Sequence, residues 1–146
     1  MPYLLHLNGP PGIGKSTIAR RYADEHPGVL NCDIDVLRSL IGGWSNDFPK
    51  AGTLIRPAAL GMIEGYLASG QDVVLPQLLT DSTEISLFEG CAVRTDALRE
   101  RHAALRALPD QRPDVMVIPS VEGAVEDTYR RLLASLAEQQ PTLRPG

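Results

Sequence analysis

The chain has 146 residues, 43% hydrophobic and 22% charged, with a formal net charge of -4 and a pI near 5.3. That is enough for one domain with a real core and not for two, and it offers no bulk positive field to draw in nucleic acid or an anionic membrane. The apolar runs fall short of a bilayer span and no charged-then-apolar leader is present, so a cytoplasmic protein is expected, with Cys32 and Cys91 as reduced thiols in the core.

The elements expected in chain order begin with Tyr3-Leu4-Leu5-His6-Leu7, a short buried strand. It runs into the loop Gly9-Pro10-Pro11-Gly12-Ile13-Gly14-Lys15-Ser16-Thr17, after which Ile18, Ala19, Tyr22 and Ala23 recur at helical spacing. Pro27-Gly28 ends that helix, and Val29 to Cys32 reads as a second strand. A helix is expected from about Asp35 to just before Gly42, then a polar loop over Ser45 to Gly52. Arg56 to Ala68 reads as a helix with Pro57 in its first turn, and Asp72 to Gln77 as a buried third strand.

Asp81-Ser82-Thr83-Glu84 has the spacing of a helix start. Thr95 to Leu108 reads as an arginine-rich helix, with Arg94, Arg99 and Arg101 as candidate lid cations over a short lid at about 94–112; a solvated helix face has the same composition. Val115 to Ile118 is a further strand. Glu122 to Ala137 is a last helix, with Val125, Tyr129, Leu132, Leu133 and Leu136 on one face. Pro141 to Gly146 reads as a frayed tail.

Strands alternating with helices predict a single α/β domain over 1–146, with helices on both faces of a mostly parallel sheet. Ligands of such sheets lie beyond the carboxyl ends of the strands, where the glycine loop and Asp33/Asp35 both fall.

The loop fits G-x-x-x-x-G-K-[ST], the P-loop pattern. Glycines let successive N–H groups converge on phosphate, and the helix that follows adds its positive end. Gly12, Ile13, Gly14, Lys15, Ser16, Thr17 and a lid arginine, Arg99, are therefore the expected nucleotide-binding set, with the Ser16 hydroxyl on Mg2+. Lysine occurs only at Lys15 and Lys50, so the motif takes one of two in a chain whose other basic residues are arginine. No guanine-recognition motif is present, which favours ATP.

Asp33 and Asp35 alternate in an extended segment, so one at most faces a given point. Asp35 is the candidate base for an acceptor hydroxyl; Asp33 either holds a Mg2+-bound water or caps the next helix. Arg38, three residues past Asp35, shares its face and could meet an anion on the acceptor. Trp44, after Gly42-Gly43, either lines an acceptor pocket or packs under a loop.

The first eighty residues resemble the small P-loop kinases that phosphorylate hydroxyl groups, a group that includes chloramphenicol phosphotransferase, zeta-type toxins and the kinase domain of phage polynucleotide kinase. Lys15, Ser16, Asp35 and Arg38 match the order and spacing of its P-loop lysine and serine, aspartate and arginine. The resemblance implies a P-loop NTPase three-layer sandwich, with Lys15 and Ser16 holding ATP and Mg2+, Asp35 activating the acceptor and Arg38 binding it. Two departures stand out. The third strand ends Pro76-Gln77 without the acid that often helps hold Mg2+, and only four strands are evident where five are usual, so the sheet is one short or a strand hides in a segment read as helix. The expected function is ATP-dependent phosphorylation of a hydroxyl on a small molecule or nucleotide-like acceptor; the rival is a nucleotide-binding regulatory module without transfer chemistry.

Overall fold

The computed structural model describes residues 2–79, 81–94, 99–104, 116–117 and 124–139. In order they form β1 (Tyr3–Asn8), α1 (Lys15–Glu25), β2 (Leu30–Asn31), α2 (Ile34–Arg38), α3 (Phe48–Ala68), β3 (Val73–Pro76), α4 (Ser82–Arg94), β4 (Arg99–Ala104), β5 (Met116–Val117) and α5 (Val125–Gln139). The sheet order is β2-β3-β1-β4-β5 and every neighbouring pair is parallel. The strand that carries the glycine loop is therefore flanked on both sides.

Period-two alternation divides the core into two layers. Leu4, Val73 and Leu75 pack with Ile55, Ala59, Ile63 and Leu67 of α3 and with Phe88 and Cys91 of α4. Leu5, Leu7 and Val74 point the other way, into Ile18, Ala19 and Tyr22 of α1 and Tyr129, Leu132 and Leu136 of α5. Leu4, Leu5 and Leu7 are at most 1% exposed, and burying each contributes roughly 1.5–3 kcal/mol. Both cysteines are buried and neither is part of a disulfide. No described helix is long and apolar enough to cross a membrane.

Two expectations are corrected. The segment read as a polar loop is already helix from Phe48, because the Asp47 side chain accepts from Lys50 N at 3.2 Å and Pro49 occupies the first turn. Pro57 thus lies inside α3, where a proline ordinarily costs about 3 kcal/mol; the buried stripe Ala51, Ile55, Ala59, Ile63 and Leu67 outweighs it. Arg56 is mid-helix rather than at a helix start, and it pairs with Glu84 of α4.

The second correction concerns the arginine-rich segment, whose residues 99–104 form β4 rather than a helix; residues 95–98 and 105–108 lie outside those described. Arg, Glu and Ala are helix formers by local preference, but here backbone ladders to β1 and β5 on either side override it. The rest of the expected lid and the C-terminal tail also lie outside the described residues.

Candidate active site

The glycine loop turns between Asn8 and Lys15 on two left-handed residues, Gly12 at φ 80° and Gly14 at φ 99°. Gly14 is the N-cap of α1 and has no side chain to cap it, so the free N–H groups of the first turn remain available to an anion. The Ile13 side chain, 3% exposed, plugs into the α1–α5 core and anchors the loop; only its backbone can serve a ligand. Val125, the first residue of α5, packs against Gly14, where an added Cβ would lie 3.1 Å from Val125 Cγ2. Lys15 Nζ donates to Gly9 O at 2.7 Å and Pro10 O at 2.9 Å. Partial burial lowers the Lys15 pKa from its ordinary value, while the Asp35 and Asp33 carboxylates hold it up.

A cleft of about 630 Å3 joins this loop to the second half of the site. Its walls include Gly12, Gly14, Lys15, Ser16 and Thr17 on one side and Asp35, Arg38 and Phe48 on the other. The sequence candidates Lys15, Ser16, Asp35 and Arg38 therefore share one crevice. Asp33 is 6% exposed and caps α2, its Oδ1 accepting from Asp35 N at 3.0 Å.

Asp35, on the first turn of α2, accepts from Arg38 Nη1 at 2.8 Å; its own side chain is 65% exposed. Arg38 is 7% exposed, an unusual depth for a cation with one carboxylate partner. Its guanidinium lies over the Phe48 ring at 3.9 Å and against bare Gly52, while its Nε is buried without an acceptor among the described residues.

Several contributors are invisible to motif reading. Asn8 clasps the segment after β3 in both directions, donating from Nδ2 to Leu79 O at 2.8 Å and accepting from Leu79 N at 3.1 Å. His6, 2% exposed, pairs its Nε2 with Gln77 O at 2.8 Å. These contacts fix the cleft wall formed by Pro76, Gln77 and Leu78. A polar pair at alternate strand positions was the available signal. Phe48 and Gly52 had none, since they fell in the segment read as loop.

The register removes Arg99 from the nucleotide-binding set. It stands opposite Tyr3 while Ala104 stands opposite Asn8, which puts Arg99 about 16 Å along the strand from the end that carries the loop. Arg101 is likewise a strand residue rather than part of a lid helix, and Arg94 closes α4. The Cys32 thiol is pushed up to about 12, chiefly by burial, which disqualifies it as a nucleophile.

The sequence profile described as AAA domain matches residues 4–112. Among solved structures, a gluconokinase from Sinorhizobium meliloti 1021 superposes with a TM-score of 0.63 at 17% identity, covering 94% of this chain and 93% of that one. An APS kinase from Mycobacterium tuberculosis does so with a TM-score of 0.60 at 19% identity, covering 93% of this chain and 97% of that one. At such identities the likeness is one of fold. No curated protein matches the chain by sequence.

Proposed function

The chain belongs to the AAA-domain family, and on that footing we propose that it is an ATP- and Mg2+-dependent phosphotransferase acting on a hydroxyl of a small-molecule or nucleotide-like acceptor. The observation that carries the reading is Asp35, held by Arg38 on the wall that faces Lys15 across the cleft. A nucleotide binder without an acceptor has no use for a carboxylate–guanidinium pair there. Two of the solved structures with this fold carry the names of kinases, which agrees with the reading. Within the family we align it with the small hydroxyl kinases, on Lys15, Ser16, Asp35 and Arg38.

In this scheme the backbone from Gly12 to Thr17 holds the phosphates, and Lys15 leaves the Gly9 and Pro10 carbonyls to neutralise them. Mg2+, which would screen phosphate charge, would be held by the Ser16 hydroxyl, with Asp33 reaching it through water. Asp33 Oδ1 is engaged by the α2 cap, and that role suits its remaining oxygen. Asp35 orients the acceptor hydroxyl and takes its proton as that oxygen bonds to the γ-phosphorus and the bond to ADP breaks. Arg38 binds an anionic group on the acceptor and keeps Asp35 in place. The work is positioning plus charge neutralisation.

One observation favours a second reading, a nucleotide-binding regulatory module: β3 ends in Pro76, and Gln77 rather than an acid follows it into the cleft. Transfer of labelled γ-phosphate from ATP-Mg2+ to a panel of nucleosides, 5′-hydroxyl oligonucleotides, aminoglycosides, phenicols and sugar nucleotides separates the two. The expected result is a labelled product that is lost in Asp35→Asn while ATP binding persists, and that binding is lost in Lys15→Ala. Equal loss of binding and transfer in Asp35→Asn would remove Asp35 from the role of base.

A further inference from the structure

Four large apolar side chains stand in solvent at intervals of four residues along α2 and the approach to α3. Val36 is 58% exposed, Leu40 74%, Trp44 37% and Phe48 50%. Two of them form a unit. The Trp44 and Phe48 rings lie 6.5 Å apart at 56°, within the range of an aromatic pair, yet neither is buried by it. Phe48 is also a wall of the cleft, next to Arg38 and Asp35. Half-exposed aromatic surface beside a reaction centre contributes little to the core, and a bound ring would cover it.

Arg38 supplies the second half of the argument. More than nine-tenths buried, it has five N–H donors and engages one carboxylate, with Nε unpaired among the described residues. Nε is turned toward Gly52 of α3, out of a ligand's reach, but Arg38 also lines the cleft, where an anion can approach the rest of the guanidinium. A ligand that offers an anion to Arg38 meets the Phe48 ring at the same place, because the guanidinium lies 3.9 Å over that ring.

We propose that the acceptor is an aromatic anion, with a flat ring received by Phe48 and Trp44 and an anionic group received by Arg38. This rests on the phosphotransferase reading and narrows its substrate class: aliphatic acids and neutral sugars are excluded as preferred acceptors. Planar rings with a phosphate, sulfate or carboxylate substituent and a free hydroxyl are the class that fits.

Trp44 is the chain's single tryptophan, so its fluorescence reports on this surface directly. The experiment titrates phenyl phosphate, adenosine 5′-monophosphate and glycerol 3-phosphate into protein whose P-loop is already filled with ADP-Mg2+. Filling of the P-loop is established separately by calorimetry against Lys15→Ala. Phenyl phosphate should quench Trp44 and bind roughly five-fold or more tighter than glycerol 3-phosphate. That preference should be lost in Phe48→Leu, survive in Phe48→Tyr, and accompany unchanged ADP binding in both. The adenosine arm tells a nucleotide acceptor from a simpler aryl one. Equal binding of the aromatic and aliphatic anions, or a preference that survives Phe48→Leu, would overturn the proposal. So would absence of quenching by either aromatic anion with ADP bound. Failure of ADP to bind at all would instead sink the phosphotransferase reading.

Discussion

Gly52 of α3 is the seat of Arg38: a Cβ added to it would lie 3.0 Å from Nη2 and 3.2 Å from Nε of that guanidinium. The same guanidinium lies over the Phe48 ring and donates to Asp35, so a shift at Gly52 is felt at both contacts. Glycine inside a helix ordinarily sacrifices about 0.5–1 kcal/mol relative to alanine. Gly52→Ala should therefore leave stability within about 1 kcal/mol of the parent, the helix gain offsetting the crowding. It should nonetheless displace Arg38 by some tenths of an ångström and weaken acceptor binding. Denaturant unfolding measures the first effect and the acceptor KM the second. A large loss of stability with an unaltered KM would show that Gly52 serves packing alone.

Lys15 should give opposite pH slopes for binding and for folding. Burial, the largest influence, lowers its pKa below 10.5. The ammonium is then lost at a lower pH than in an exposed lysine, and affinity for ATP should fall as pH rises through that lowered value. For the empty protein the sign reverses. The unfolded chain binds the proton more tightly, so the lysine's contribution makes stability rise with pH between the lowered pKa and 10.5. Calorimetric titration of ATP across this range should show the alkaline limb, and Lys15→Arg should abolish it. Because the Asp35 carboxylate holds the pKa up, Asp35→Asn should move the limb to lower pH.

What could be read from the chain alone, and what could not, divides by contact range. The strand, loop and first helix were legible because β1, the glycine loop and α1 are contiguous and obey local rules. The Asp35–Arg38 relationship was legible for the same reason, being a matter of helical spacing. β4 was not, since nothing within Arg-Glu-Arg-His-Ala-Ala distinguishes it from a helix; its neighbours in the sheet, β1 and β5, decide. The start of α3 was hidden because Pro57 has the look of a first-turn proline, whereas Asp47 and Pro49 carry the actual start. With that start misread, the contacts of Phe48 and Gly52 with Arg38 had no elements to stand on.

Asp33 serves two roles that conservative substitutions can separate. Its Oδ1 caps α2 at the backbone N–H of Asp35. Asparagine caps as well as aspartate does, but carries no charge for Mg2+. Asp33→Asn should thus keep stability within about 0.5 kcal/mol while raising the Mg2+ concentration needed for half-maximal activity. Asp33→Ala should lose the cap as well, at about 1 kcal/mol. If Asp33→Asn leaves the Mg2+ requirement unchanged, Asp33 is a cap and nothing more.

Gly12 and Gly14 share a left-handed backbone but not their surroundings, and alanine at each should tell conformation from contact. At Gly12, φ 80°, an added Cβ meets nothing within 4 Å, so Gly12→Ala pays chiefly the left-handed strain of about 1–2 kcal/mol. Its methyl group would nonetheless stand in the cleft where phosphate must approach, and affinity for ATP should suffer more than stability does. At Gly14, φ 99°, the same strain is joined by a contact of 3.1 Å with Val125 Cγ2 at the head of α5. Gly14→Ala should therefore be the more destabilising of the two in denaturant unfolding, since it presses on the helix that closes one core layer. Truncating the obstructing side chain in Gly14→Ala/Val125→Ala should recover the contact part of the loss and leave the conformational part. Equal costs for the two single variants would show that α5 yields to the loop without penalty.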